Sequence, residues 1–302
     1  SSDPPAPFVG EVWYNSTSDT LKYFGVELAG WSTGGNLATG RYHLAGAGTQ
    51  TSALAFGGTT PGATGATEEY DGSSWAAGGN MGTARYNLGG CGTQTAGLGF
   101  GSYPNTSLTE EYNGSAWTAG GALNQARGKT SGCGTQTAGL ALSGTPIWLE
   151  DGSSTATEEY DGSSWTSAAV TSTSKVSRFG FGIQTAAISA GGSPNTGATE
   201  EYDGSAWTAG GTLNIAGGAG AGAGTQTLGR VSAGFGSTGR GGASETYDGT
   251  SWTTSSSLLN ENSRLAGGGT QSLALIFGGL ANPTATEEFS DGGPATFTVG
   301  TD

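Results

Sequence analysis

Apolar residues along this chain come in short runs that end in paired glycines, as in LAFGG at 54–58, AISAGG at 187–192 and LALIFGG at 273–279. Each run is followed by a variable polar loop, an acidic-aromatic segment of the type TEEY, an Asp-Gly or Asn-Gly dipeptide, and a tryptophan. Short apolar runs bounded by Gly, Asn, Asp and Ser read as β-strands, and no helical period competes with them. The dipeptides Asp71-Gly72, Asn113-Gly114, Asp161-Gly162, Asp203-Gly204 and Asp248-Gly249 are hairpin signals that make the strands on either side adjacent and antiparallel. Before each apolar run lies a segment of small residues, such as ARYNLGGCGTQ at 84–94, which suits a crowded innermost strand. A repeating unit of four strands results.

The unit recurs with a clear period. TEEYDGSSW at 67–75 returns as TEEYNGSAW at 109–117, TEEYDGSSW at 157–165, TEEYDGSAW at 199–207 and SETYDGTSW at 244–252, then degenerates to TEEFSDGGP at 286–294. The aromatic positions 70, 112, 160, 202, 247 and 289 are spaced by 42, 48, 42, 45 and 42 residues. Four strands in such a period specify an all-β fold, a β-propeller of four-stranded blades.

Blade number has two readings. Val12 to Asn15, Thr20 to Phe24 and the segment around Trp31 can imitate the last three strands of a unit, and ATFTV at 295–299 offers one more. Dividing residues 10–302 by seven gives about 42, so seven blades are favoured, with units at 10–40, 41–84, 85–126, 127–174, 175–216, 217–261 and 262–302 and an N-terminal extension at 1–9. First and last segments would then share the closing blade and hide its edges. The alternative is six blades, with Trp31 closing the last one and the N-terminal hairpin packed outside.

A strand ending in Gly-Gly, a loop, a Tyr-Asp pair and a tryptophan about five residues later together resemble the kelch repeat, over roughly residues 30 to 290. The wording AGAGTQTxALAFGG followed by TEEYDGSSW is also similar to kelch-type repeats of phage tail or fibre proteins and of bacterial surface proteins. EVWYNSTSDTLKYF at 11–24 is similar to a hairpin of phage fibre proteins. The resemblance implies a virion or cell-surface location and partners among other virion or surface subunits, a host glycan or a host surface protein.

Composition narrows the function classes. Ten basic against 24 acidic residues give a net charge of −14, which repels a phosphate backbone and argues against nucleic acid. No run reaches the roughly 18 to 20 apolar residues of a membrane helix, so no membrane insertion is expected. The opening SSDPPAP, without methionine, reads as the start of a processed product or of an excised domain.

Candidate chemistry is sparse. The tryptophans Trp75, Trp117, Trp165, Trp207 and Trp252, with Trp31, could stack on sugars, but one aromatic per blade at a fixed place is what packing between blades requires. Tyr70, Tyr112, Tyr160, Tyr202 and Tyr247 belong to the same structural repeat. Glutamate neighbours such as Glu68 and Glu69 point to opposite faces of a strand, so they cannot converge on one bond; pairing with the basic residue that opens each unit, Arg41, Arg85, Arg127 and Lys175, is expected instead. No DxDxDG-type loop supplies calcium ligands. The single histidine, His43, rules against a copper centre of the galactose-oxidase type, and no GxSxG elbow accompanies it. It aligns with Asn87 and Lys129 and is read as a non-catalytic strand or rim residue. Cys91 and Cys133 share a repeat position with Ala47, Phe181, Ala223 and Gly268, a small buried site, although a disulfide between neighbouring units is conceivable. No catalytic residue, metal site or cofactor is expected.

The loops after the second strand differ from unit to unit, and such loops are where a repeat scaffold places function. The third is the longest: TPIWLEDGSSTA at 145–156 carries Ile147, Trp148 and Leu149 beside Glu150 and Asp151, without counterpart elsewhere. It is the candidate contact surface, with a fold-back over the blade edge or into the channel as the alternative. The expected function is a non-enzymatic binding module, extracellular or on a virion surface, or else a structural subunit that docks others.

Overall fold

The computed structural model describes residues 2–146, 152–236 and 241–299. Its described residues form 27 strands in seven antiparallel sheets. In blade 1 the strands are Ala45–Thr49, Ser52–Phe56, Thr67–Tyr70 and Trp75–Ala77, paired in that order. Blades 2 to 5 repeat this pattern over 89–119, 131–167, 179–209 and 221–255. Blade 6 takes three strands from 266–290 and its fourth, Gly30–Thr33, from the other end of the chain. The inner strands pack in a closed cycle of six, the last against the first.

The favoured count of seven blades is therefore corrected. The seventh sheet has three strands, Val12–Asn15, Thr20–Glu27 and Gly293–Thr298, and none joins the inner cycle. Of the two readings of the sequence, the propeller has six blades, Trp31 closes the last, and the N-terminal hairpin lies outside. The ATFTV segment pairs with that hairpin, Tyr23 opposite Phe297, their rings stacked at 4.9 Å. The reason is local. Phe289 and Trp31 face each other in register at 5.4 Å, so blade 6 is completed by Gly30–Thr33 and leaves no place for another strand.

Three kinds of side-chain contact tie each blade to the previous one, all three at every boundary except that of blade 6 with blade 5, where Phe289 replaces the tyrosine and Trp31 donates to the Ser256 carbonyl. The Tyr112 hydroxyl donates to Glu69, as those of Tyr160 and Tyr202 do to Glu111 and Glu159. Trp117 Nε1 donates to Thr67 Oγ1 at 2.9 Å, and Trp75, Trp165, Trp207 and Trp252 repeat this on Thr286, Thr109, Thr157 and Thr199. Gln94 Nε2 donates to the carbonyls of Ala53 and Tyr70, and Gln50, Gln136, Gln184, Gln226 and Gln271 do the equivalent, so the glutamines close a full circle. Small inner strands are required by this packing: a Cβ on Gly90 would lie 2.6 Å from Phe56 of the preceding blade.

The adjacent glutamates divide as strand alternation dictates. Glu68 turns into its own blade to pair with the buried Arg41 at 2.7 Å, while Glu69 faces the next. Arg85–Glu110 at 2.9 Å and Arg127–Glu158 repeat the ion pair. Lys175 does not: Arg178, three residues on, pairs with Glu200 at 2.8 Å, and the Lys175 ammonium donates to the Pro194 carbonyl instead. A guanidinium can hold the carboxylate and nearby carbonyls at once in a buried site, which a point-charge ammonium does less well.

Candidate binding site at the axial mouth

Each first strand enters from the end of the blade where the second-strand loops lie; the Asp-Gly and Thr-Gln turns are at the other end. At the entry end, one residue per blade adopts the left-handed conformation: His43, Asn87, Lys129, Ser177, Ala219 and Arg264, with φ of 56°, 54°, 51°, 53°, 57° and 58°. Turned this way, each amide points at the preceding blade. His43 N donates to the Arg264 carbonyl, Asn87 N to His43, Lys129 N to Asn87, Ser177 N to Lys129, Ala219 N to Ser177 and Arg264 N to Ala219, at 2.6 to 3.1 Å. Six backbone hydrogen bonds thus form an uninterrupted ring around the propeller axis.

All six residues are half-buried and line an open axial cavity of about 140 Å3. Among the described residues no aspartate or glutamate lines it. In a chain of net charge −14 this mouth carries Lys129 and Arg264, and neither side chain makes an ion pair among the described residues. Their charges and burial hold His43 down to a pKa of about 4, with burial the larger cause, so the imidazole is neutral at neutral pH. Beside it stand half-buried aromatic rings: Tyr42 is 5.3 Å and Tyr86 6.2 Å from the His43 ring, and Tyr103 is 5.5 Å from Tyr86. Burial and the neighbouring Tyr103 and Tyr42 push the Tyr86 phenol up, which keeps it a neutral donor.

The sequence reading placed His43, Asn87 and Lys129 in one repeat column but gave the column no role. Ser177, Ala219 and Arg264 share no common residue type with them, although all six stand seven residues before the repeat glutamine, and the backbone shows what that column does. A usable signal exists: the chain has 60 glycines, yet none occupies this column, where a left-handed φ would favour glycine.

The other expected site residues fall elsewhere. Tyr70, Tyr112, Tyr160, Tyr202 and Tyr247 are fully buried between blades, and each stacks on the tryptophan of its own hairpin, Trp75, Trp117, Trp165, Trp207 or Trp252, at 4.8 to 5.1 Å. Ile147, Trp148, Leu149, Glu150 and Asp151 lie outside the described residues. Cys91 and Cys133 are buried free thiols, both pushed up by burial, Cys133 to about 12. Among the described residues no cluster of His, Cys, Asp and Glu has the geometry to hold a metal, and no helix is long and apolar enough to cross a membrane. No protein-family model matches the chain, and no curated protein matches it.

Proposed function

We propose that this protein is a non-enzymatic binding module of a phage virion appendage or a cell surface, built from kelch-type blades and recognising a host glycan or protein at the axial mouth and the loops around it. The observation that carries the reading is the ring of six equivalent positions. Their backbones are alike, their side chains differ, and glycine is excluded where the backbone would favour it. Left-handed residues other than glycine cost about 1–3 kcal/mol each and gather at functional sites. Ring closure needs only the backbone, so the varied side chains serve something other than the fold.

The three-stranded sheet supports an attachment role at the opposite end. Gly30 pairs with Ser290 at the turn end of blade 6, so both connections to that sheet leave from the end away from the ring. Val12, Tyr14, Leu21, Tyr23 and Val26 are exposed on it. This favours, as a second reading, docking onto other virion or surface subunits; the two roles use opposite ends and are compatible.

A glycan array combined with adsorption of the labelled protein to candidate host cells tests the first reading. Saturable binding reduced by substitutions at Lys129 and Arg264 is expected. Binding to no glycan and no cell, alongside a stable complex with neighbouring structural subunits, would leave docking as the function.

A further inference from the structure

We infer that the axial mouth binds the carboxylate of an acidic sugar, with Arg264 and Lys129 on the carboxylate and the tyrosines beside His43 against the pyranose ring. This deepens the binding-module reading and rests on it. Among the described residues the mouth is lined by three cations, of which Arg178 is paired with Glu200 and Lys129 and Arg264 are not in an ion pair, and by no acid, in a chain whose remaining charge is strongly negative. The other arginines among the described residues are committed: Arg41, Arg85, Arg127 and Arg178 pair with buried glutamates, and Arg230 lies over the Phe289 ring. Arg264 and Lys129 therefore carry positive charge that no ion-pair partner among the described residues takes up.

The class of anion follows from the surrounding groups. A guanidinium presents a planar fork that matches a carboxylate through two parallel hydrogen bonds, and an ammonium adds a point charge. Asn87 and Ser177, on the same ring, supply donors and acceptors suited to sugar hydroxyls. Tyr42, Tyr86 and Tyr103 form a half-buried aromatic strip at the rim, with apolar faces and polar tips. The cavity of about 140 Å3 admits one sugar unit in part, leaving the remainder of a chain to run outward over the rim.

His43 is the single histidine and sits in the ring, so its imidazole resonances report on this site without overlap. The protein is titrated with sodium glucuronate, glucose, sodium acetate and inorganic phosphate while those resonances and the melting temperature are followed. Saturable shifts with glucuronate, weaker by at least tenfold with acetate and phosphate and absent with glucose, are expected. Affinity for glucuronate should fall at least tenfold in Lys129→Gln and in Arg264→Gln and stay unchanged in Lys175→Gln, which lies outside the ring. Unchanged melting temperatures show that the variants fold.

No response to glucuronate, an equal response to acetate or phosphate, or a response that persists in the Lys129→Gln/Arg264→Gln double variant would overturn the inference. Failure here with binding to neutral glycans or to cells still present would leave the binding-module reading standing. Failure in both would remove the two together.

Discussion

The Arg230 guanidinium lies 3.4 Å over the ring of Phe289, at the one blade boundary where the tyrosine-to-glutamate hydrogen bond is missing. Three departures from the repeat meet there. Phe289 stands where other blades have tyrosine, Thr246 where they have the accepting glutamate, and Arg230, directly across from Thr246, where they have Leu54, Leu98, Leu140, Ile188 or Leu275. Read singly, each looks like decay of the motif; together they are one compensated exchange.

That exchange predicts non-additive stability. Phe289→Tyr alone places a hydroxyl against a guanidinium with no carboxylate to receive it and should cost about 1–3 kcal/mol. Arg230→Leu alone strips donors from the Ser244 and Ser255 hydroxyls and the Gln271 carbonyl. The triple variant Arg230→Leu/Thr246→Glu/Phe289→Tyr rebuilds the standard boundary and should be more stable than the sum of the singles by about 0.5–3 kcal/mol. Denaturant midpoints of all combinations measure this, and strict additivity would refute the coupling.

Much of this architecture was legible in the sequence because one blade is written once per period: the Gly-Gly end of the second strand, the Asp-Gly turn and the tryptophan each specify a local geometry. Blade count was not, because the strand that completes blade 6 lies more than 250 residues from its partner, Trp31 opposite Phe289, and repeat counting cannot see such pairing. The ring residues were hidden for a different reason. His43, Asn87, Lys129, Ser177, Ala219 and Arg264 are equivalent in φ and in backbone hydrogen bonding, neither of which is written in side-chain type. Lys175 stands where the other units open with arginine, yet it is Arg178, three residues on, whose guanidinium reaches Glu200.

Trp207→Ala should cost on the order of 3–5 kcal/mol, as large aromatic truncations do. Its ring stacks on Tyr202 at 4.9 Å, and its indole N–H donates to Thr157 of the preceding blade at 3.0 Å, so both the hairpin and the blade boundary lose a partner. An unchanged melting temperature would contradict the assignment of these tryptophans to packing.

Arg41→Met should be more damaging than its small surface change suggests. Glu68 is 3 % exposed and would keep its charge in the blade interior with only the amides of Ala38 and Thr39 for company. Removing one partner of such a pair costs about 3–5 kcal/mol, whereas Arg41→Met/Glu68→Leu removes both charges and should recover much of it. Equal loss in the single and double variants, followed by urea unfolding, would argue against the buried-charge account.

The interblade tyrosines give a prediction at high pH. Burial, and then the hydrogen bond to a glutamate, pushes Tyr70, Tyr112, Tyr160 and Tyr247 up to about 12 from 10.0. The folded state therefore holds these protons more tightly than the unfolded chain. Their stabilising contribution is complete below about pH 10 and drains away as pH rises through 12. Tyrosinate absorbance should show these residues ionising only as the near-ultraviolet circular dichroism collapses. Ionisation near pH 10 with the fold intact would overturn the reading.

Closure of the propeller is non-covalent and concentrated in few groups, and Gln50 is one of them. Its Nε2 donates to the carbonyls of Ala274 at 3.2 Å and Phe289 at 2.7 Å, joining blade 1 to blade 6 across the point where the chain's two ends meet. Gln94 makes the same two bonds between blades 1 and 2, which the chain already connects. Either substitution to alanine removes two side-chain hydrogen bonds to buried strand carbonyls and should cost about 1–3 kcal/mol at equilibrium. The difference lies in opening. At the 1–6 boundary residues 34–44 tie blade 1 only to Gly30–Thr33, and that strand is held to the other three strands of blade 6 by pairing alone, so Gln50→Ala should accelerate unfolding and hydrogen exchange of the Gly30–Thr33 strand well beyond Gln94→Ala. Equal unfolding rates for the two variants would show that the seam is no weaker than any other boundary.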